Sequence, residues 1–259
     1  MIADLRALEP PQLESFTNSL VEQVVAAVTD KIPPLESSLA VAELTVALQY
    51  VLNTPEDVLV WDVGHQGYIH KALTGRMEEL VNMRKPGGLS GFLKRDESPY
   101  DFFGAGHAST SISALAGVCL ADQVSGKSRQ RVAVIGDGSL TGGQSFEALN
   151  HLGSLGADAL VIINDNEGSI DATIGALHHQ QSYGTYVQSL GWQYTFLEQG
   201  NDVRALVEAL QHVLAQPGPQ TLHIKTKRPD LSPPKSYKPG TTFQWWAAET
   251  MGVVLEKHL

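Results

Sequence analysis

A doubly wound α/β fold, with a mainly parallel sheet and helices on both faces, is what this sequence predicts. Three observations carry the prediction. From residue 131 onward, short β-branched runs alternate with segments of helical period, as parallel strands joined by crossover helices do. Two of those runs end in turns of glycine, asparagine and aspartate, "GDG" at 136–138 and "NDN" at 164–166. The chain has 259 residues, 42% hydrophobic and 18% charged, which suits one large domain with a sizeable core.

Each element follows from its local pattern. Residues 13–29 alternate polar and apolar at helical spacing, and the paired prolines of "DKIPPLESS" then break the pattern. "AVAELTVALQYVLN" (40–53) resumes as a helix and stops at Asn53-Thr54-Pro55. "DVLVWDVG" (57–64) reads as a short buried strand running into glycine, and "YIHKALTGRMEELVNMR" (68–84) reads as helix. Glycine and proline punctuate "KPGGLSGFLKRDESPYD" (85–101), which is loop. "ASTSISALAGVCLADQVSG" (108–126) is a helix of small residues. Strand 131–135, helix 143–153 and strand 159–163 come next, then a helix near 181–190. Strand "WQYTFL" (192–197), helix "DVRALVEALQHVLA" (202–215) and strand "QTLHIKT" (220–226) complete the alternation. A proline-rich stretch over 227–246 precedes a closing helix at 247–259.

Composition excludes some classes. The formal net charge is −10 and there is no dense Lys/Arg block, which argues against nucleic-acid and anionic-membrane partners. No apolar run approaches the ~18 residues of a membrane span. The N-terminus "MIADLRALEPP" lacks the basic-then-apolar order of a signal peptide, so the expected location is cytoplasmic. Cys119, the only cysteine, lies in the apolar run "ALAGVCLA" and is expected as core filler rather than nucleophile.

The two strand-end turns carry the chemistry. In open α/β sheets, ligands bind beyond the carboxyl ends of the strands. Asp137 offers an anionic oxygen there, Asn166 an amide oxygen and Gly168 a backbone carbonyl. Mg²⁺ takes about six oxygens at ~2.1 Å and commonly shares them with phosphate and water. One carboxylate, one amide and one carbonyl, with two diphosphate oxygens and a water, complete that shell. Gly136 and Gly138 allow close backbone approach, and the N-terminus of helix 143–153 adds its positive dipole. A lone "GDG" is ordinarily a turn; paired with "NDN" at the next strand end it resembles the motif of thiamin diphosphate-binding enzymes.

Six further words carry a family resemblance: "ELTVALQYVLNTP", "WDVGHQGYIHKALTGR", "GGLSGFLKRDES", "GHASTSIS", "GDGSLTGGQSFEALNH" and "NDNEGSI". In this order and spacing the chain resembles the N-terminal, diphosphate-binding part of 1-deoxyxylulose-5-phosphate synthases, among the transketolase-like enzymes. The resemblance runs from about residue 39 to 178, and more loosely over 191–226. It implies the thiamin diphosphate-binding fold, thiamin diphosphate and Mg²⁺ as cofactors, and Asp137, Asn166 and Gly168 as metal ligands. Gly138 and Ser139 would lie against the diphosphate, and Gly106, His107, Ala108, Ser109 and Ile170 would line the cofactor. His65 matches a histidine at the cofactor's reactive end and is the implied catalytic residue. His212 and His223 are expected to have no chemical role, whereas His178 and His179 match a family loop that is equally well read as solvated.

Three departures qualify the resemblance. The family's aminopyrimidine-clasping domain, with its activating glutamate, is not found in this sequence. Pro34 stands where a substrate-contacting histidine is expected, and Asn201 replaces a histidine in a later turn. The stretch between residues 180 and 191 is shorter than the synthases' counterpart. These points predict the diphosphate/Mg subunit of a split enzyme, related to but not identical with the synthase. A second subunit would carry the pyrimidine domain and glutamate, in an assembly of two copies of each chain. The reaction would move a C2 ketol or acyl unit from a ketose or 2-oxo acid to an acceptor. The alternatives are a 2-oxo acid decarboxylase component passing acyl to a carrier domain, a catalytically degenerate cofactor-binding module, and a piece of a longer chain that carries the second domain itself.

Overall fold

The computed structural model describes residues 1–28, 35–166, 175–179 and 182–227. Pro34, Gly168, Ile170 and the expected closing helix lie outside them. Helices α1 (Ile2–Arg6), α2 (Leu13–Val28), α3 (Leu35–Leu39) and α4 (Ala42–Val51) precede strand β1 (Val58–Trp61). Helices α5 (Tyr68–Lys71) and α6 (Ser111–Ser125) follow, then β2 (Arg131–Gly136), α7 (Asp137–Leu140) and α8 (Gly143–Leu155). The chain continues through β3 (Ala159–Asp165), α9 (Ala176–His179), α10 (Tyr183–Ser189), β4 (Gln193–Leu197), α11 (Val203–Leu214) and β5 (Pro219–Lys225).

All five strands pair in parallel, in the order β1-β2-β3-β5-β4. Alternate strand residues point to opposite faces, and each face buries its own cluster. Val132, Val134, Leu160 and Ile162 pack with α2, α4 and α11 on one side. Ala133, Ile135, Val161 and Ile163 pack with α6, α8 and α10 on the other. Cys119 is buried in this second cluster, and burial pushes its thiol up to about 11, so it is protonated and inert at neutral pH. Among the described residues, no helix is long and apolar enough to cross a membrane.

Two differences from the sequence pattern have physical causes. The short helix α1 is not signalled by the sequence, because five residues show no period. Its Arg6 donates to the Gln49 and Leu52 carbonyls at 3.0 and 2.6 Å, capping the end of α4 where helical partners run out. The expected helix over 68–84 is three pieces: α5, a widened turn over Ala72–Arg76, and a tight turn over Glu78–Asn82. Gly75, at φ +93°, breaks it.

That break aims polar groups inward. Arg76 forms a fork to Asp101, with Nη1 and Nη2 donating at 2.8 and 2.7 Å. Lys71 donates to Glu97 at 2.5 Å and to the Ser90 carbonyl at 2.7 Å. The Thr54 hydroxyl donates to the Gln49 amide oxygen at 2.6 Å, which turns the amide nitrogen toward His70 Nδ1 at 3.2 Å. His70 Nε2 therefore carries the ring proton and donates it to Asp101 at 3.2 Å. Loop 85–101 is thereby fastened to the domain by charge-assisted bonds rather than by apolar packing alone.

Candidate functional site

Three loops meet at the carboxyl edge of β1, β2 and β3. The first leaves β1 through Asp62, Val63 at φ 59° and Gly64 at φ 84°. Asp62 is fully buried, and its two carboxylate oxygens accept from the backbone N–H of Ser109 and Ser111 at 2.9 and 3.1 Å. A carboxylate at the start of α6 satisfies donors that the helix leaves over and suits its dipole. It also anchors the second loop, 104–110, against the first. Gly64 cannot be replaced without movement, because a Cβ there would stand 2.8 Å from that of Ala105.

The second loop ties to the third. Ser109, at φ 70°, donates its hydroxyl to the Ser139 carbonyl at 2.7 Å. Ser145 donates to the same carbonyl at 3.1 Å. The Ser109 hydroxyl is thus a brace for the "GDGS" turn. Gly142 makes this fit possible, since a Cβ there would fall 2.1 Å from Ser109 Oγ. Gly142→Ala is expected to cost about 1–3 kcal/mol by overpacking. Urea unfolding checks this, and adding Ser109→Gly, which removes the obstructing side chain, is expected to recover part of the loss.

Asp137 lies immediately beyond β2 and is 3% exposed. The register pairs Gly136 with Asn164, so Asn166 lies two residues past the last β2–β3 pair, on the neighbouring strand end. The expectation of a plain glycine turn before helix 143–153 is refined by α7, one helical turn inserted between Asp137 and α8. His65 belongs to the same edge. The Ser38 hydroxyl donates to its carbonyl at 2.9 Å, and the adjoining Gln66 accepts from the Asn164 amide at 3.3 Å across the sheet. His65, Gly106, His107, Ala108, Ser109, Gly136, Asp137, Gly138, Ser139 and Asn166 therefore share one edge. His107 and Ala108 are exposed there.

The donor chemistry fits a hard cation that shares its shell with an anion. Among the described residues, no group of three or more His, Cys, Asp or Glu is placed to hold a metal by itself. One carboxylate and one amide leave room for further oxygens from the ligand. A Cβ built on Gly136 meets nothing within 4 Å, so the strand end is open where a ligand would approach.

Two residues read differently in three dimensions. Asn201 donates to the Ala40 carbonyl at 3.3 Å and to Glu43 Oε2 at 3.1 Å, and accepts from the Lys227 N–H at 2.7 Å. It is a clasp between the start of α4 and the end of β5. His223, expected to be chemically silent, is 4% exposed and joins Tyr194 to Asp165, at 2.7 and 3.1 Å. The pairing of β3 with β5 is the signal for this contact, because it sets Asp165 beside Lys225, two residues from the histidine. Tyr183, 1% exposed, has its hydroxyl pKa raised by burial and then by the charges of Asp165 and Asp137.

Comparison with known proteins places this architecture. Transketolase from Leishmania mexicana superposes with a TM-score of 0.68 at 22% identity, over 85% of this chain and 37% of its own. Transketolase from Pichia stipitis, in complex with sedoheptulose-7-phosphate, gives 0.69 at 18%, over 84% and 36%. The fold is therefore transketolase-like. The family model for 1-deoxy-D-xylulose-5-phosphate synthase matches residues 1–185. The synthase of Alkalilimnicola ehrlichii is 44% identical over 264 residues, covering 86% of this chain and 42% of the relative. That of Methylobacillus flagellatus is 40% identical over 278 residues, covering 92% and 45%. The chain belongs to the 1-deoxy-D-xylulose-5-phosphate synthase family, and it spans less than half the length of these curated relatives.

Proposed function

We propose that this chain forms the diphosphate- and metal-holding half of a thiamin diphosphate-dependent transferase. The reaction moves a C2 ketol or acyl unit from a ketose or 2-oxo acid to an acceptor. The observation that carries this reading is that a buried carboxylate, Asp137, and Asn166 stand on neighbouring strand ends, walled by the braced loops at 104–110 and 136–142. Asp137, Asn166 and the Gly168 carbonyl would hold Mg²⁺. Gly136, Gly138 and Ser139 would border the diphosphate, with Gly106, His107, Ala108, Ser109 and Ile170 lining the cofactor. When bound, thiamin diphosphate supplies a nucleophilic carbon that accepts the transferred unit.

The protein's own part is to bind, orient and move protons. The N-termini of α6 and α8 open on this edge and favour an anionic ligand. His65 is the proton-handling group, held at its carbonyl by Ser38. Asn201 is an amide committed to the α4–β5 clasp and has no proton to exchange near neutral pH. This supports an acceptor different from that of plain deoxyxylulose phosphate synthesis.

A pyrimidine-binding domain with an activating glutamate completes the site, and we propose that a second subunit brings it, in an assembly that also self-associates. The sheet buries a core cluster on each face from its own helices, as a self-contained domain does, whether the pyrimidine domain lies on the same chain or on another. Calorimetric titration with thiamin diphosphate, with and without Mg²⁺, tests the site; affinity purification of the tagged chain tests the assembly. Metal-dependent binding and a stoichiometric partner are expected. Absence of binding in the complete assembly overturns the cofactor reading, and recovery of the chain alone overturns the split-subunit reading.

A further inference from the structure

The end of β3 is clamped from both faces of the sheet, and the clamp on one face is a buried histidine relay. Asn164 and Asn166 share one face, with Asp165 on the other, as strand alternation requires. On the first face, Asn164 donates to Gln66, and its amide oxygen accepts from the Thr226 hydroxyl at 2.6 Å. On the second face, Asp165 Oδ2 faces His223 Nε2 at 3.1 Å and Lys225 Nζ at 2.9 Å. His223 Nδ1 faces the Tyr194 hydroxyl at 2.7 Å. Only one proton arrangement satisfies all three groups with a neutral ring: Tyr194 donates to Nδ1, and Nε2 donates to the carboxylate. The ring is also held sterically, edge-on to Tyr183 and Phe196 at 5.0 Å between centroids.

Ladder pairing with β5 ends at Asp165, whose carbonyl accepts from the Thr226 N–H at 2.9 Å. Asn166 thus leaves the sheet from a residue held by its backbone on β5 and by its side chain on His223 and Lys225. We propose that His223, supported by Tyr194, is a positioning residue for the metal site: it locks the Asp165 side chain against β5 and so steadies the strand end from which Asn166 departs toward Asp137. The inference rests on the metal-site reading above. Groups that orient a metal ligand from behind typically change metal affinity by about 10–100-fold when removed.

Mn²⁺ binding in the presence of thiamin diphosphate tests this. It is followed by electron paramagnetic resonance on the whole chain, in the assembly in which it purifies, with thermal melting of every variant alongside. His223→Phe keeps the ring packing and loses both hydrogen bonds. It is expected to weaken Mn²⁺ by roughly tenfold or more at temperatures far below its melting point. His223→Gln, whose amide can donate to Asp165 and accept from Tyr194, is expected to restore most of the affinity. Tyr194→Phe loses one hydroxyl and gives a smaller loss of the same sign, and it decides the matter if His223→Phe does not fold. Asp137→Ala is the reference. If it weakens Mn²⁺ binding while His223→Phe and Tyr194→Phe leave it unchanged, the positioning role is overturned and the metal site stands. If Asp137→Ala leaves Mn²⁺ binding unchanged, the metal-site reading fails and the inference fails with it.

Discussion

Asp137→Ala is expected to weaken metal-dependent binding of thiamin diphosphate by up to roughly 100-fold, without unfolding the domain. The magnitude follows from losing a charged oxygen donor worth up to about 3 kcal/mol, at a factor of ten per 1.4 kcal/mol. The second half of the prediction is the more discriminating. Asp137 lies immediately beyond β2 and belongs to neither core cluster, so its truncation removes no core packing. The Ala variant is therefore expected to keep a cooperative melt close to that of the parent. A residue kept for ligand binding behaves in this way; one kept for packing loses stability. Calorimetric binding and a thermal melt on the same sample check both halves.

Asp101→Ala is expected to destabilise the native protein by about 3–5 kcal/mol, more than Gly142→Ala does. Its carboxylate accepts two bonds from Arg76, one from His70 and one from the Lys94 N–H. Removing it strands Arg76, 5% exposed, with Glu97 at 3.5 Å as its remaining carboxylate. A loss of that size corresponds to a drop of roughly 10 °C in melting temperature for a domain of this length. Urea and thermal unfolding check it.

The same cluster sets the acid response of the native protein. Burial alone would raise the Asp101 pKa, but bonds from Arg76 and His70 outweigh it and hold the carboxyl well below its usual range. Its contribution is present above the unfolded value near 4 and is lost as pH falls below that. Burial lowers the His70 pKa, so the folded ring refuses a proton that the unfolded chain takes up below about 6.5. Both groups make the native protein weaker in acid. Stability measured by urea unfolding is expected to fall from pH 7 to 5 through His70, and more steeply below pH 4 through Asp101.

Much of the architecture is legible in the residues. The alternation after residue 131 predicts β2 through β5 and their connecting helices to within a few residues, because each amphipathic or β-branched run states its own period. The stretch from 68 to 84 reads as one helix because it contains no proline and a single glycine, Gly75, to mark a break. Gly75 is visible in the sequence, yet nothing local shows that it takes φ +93° to aim Arg76 inward. At the site, the motifs name the residues and leave their duties open. Ser109 braces Ser139, Asn201 clasps α4 to β5, and His223 holds Asp165.

What the sequence by itself determined is the parallel α/β class, the two strand ends that offer oxygen ligands, and the family to which these motifs belong. Those are local properties: period, turn chemistry and the order of short words. Only the tertiary structure decided which side chains are spent on holding the loops and which are left facing the site. That division rests on bonds between residues far apart in the chain, such as Asp62 to Ser109 across 47 positions and Asn164 to Gln66 across 98. Such pairs form because the sheet brings the carboxyl ends of β1, β2 and β3 side by side, where buried polar groups must find partners.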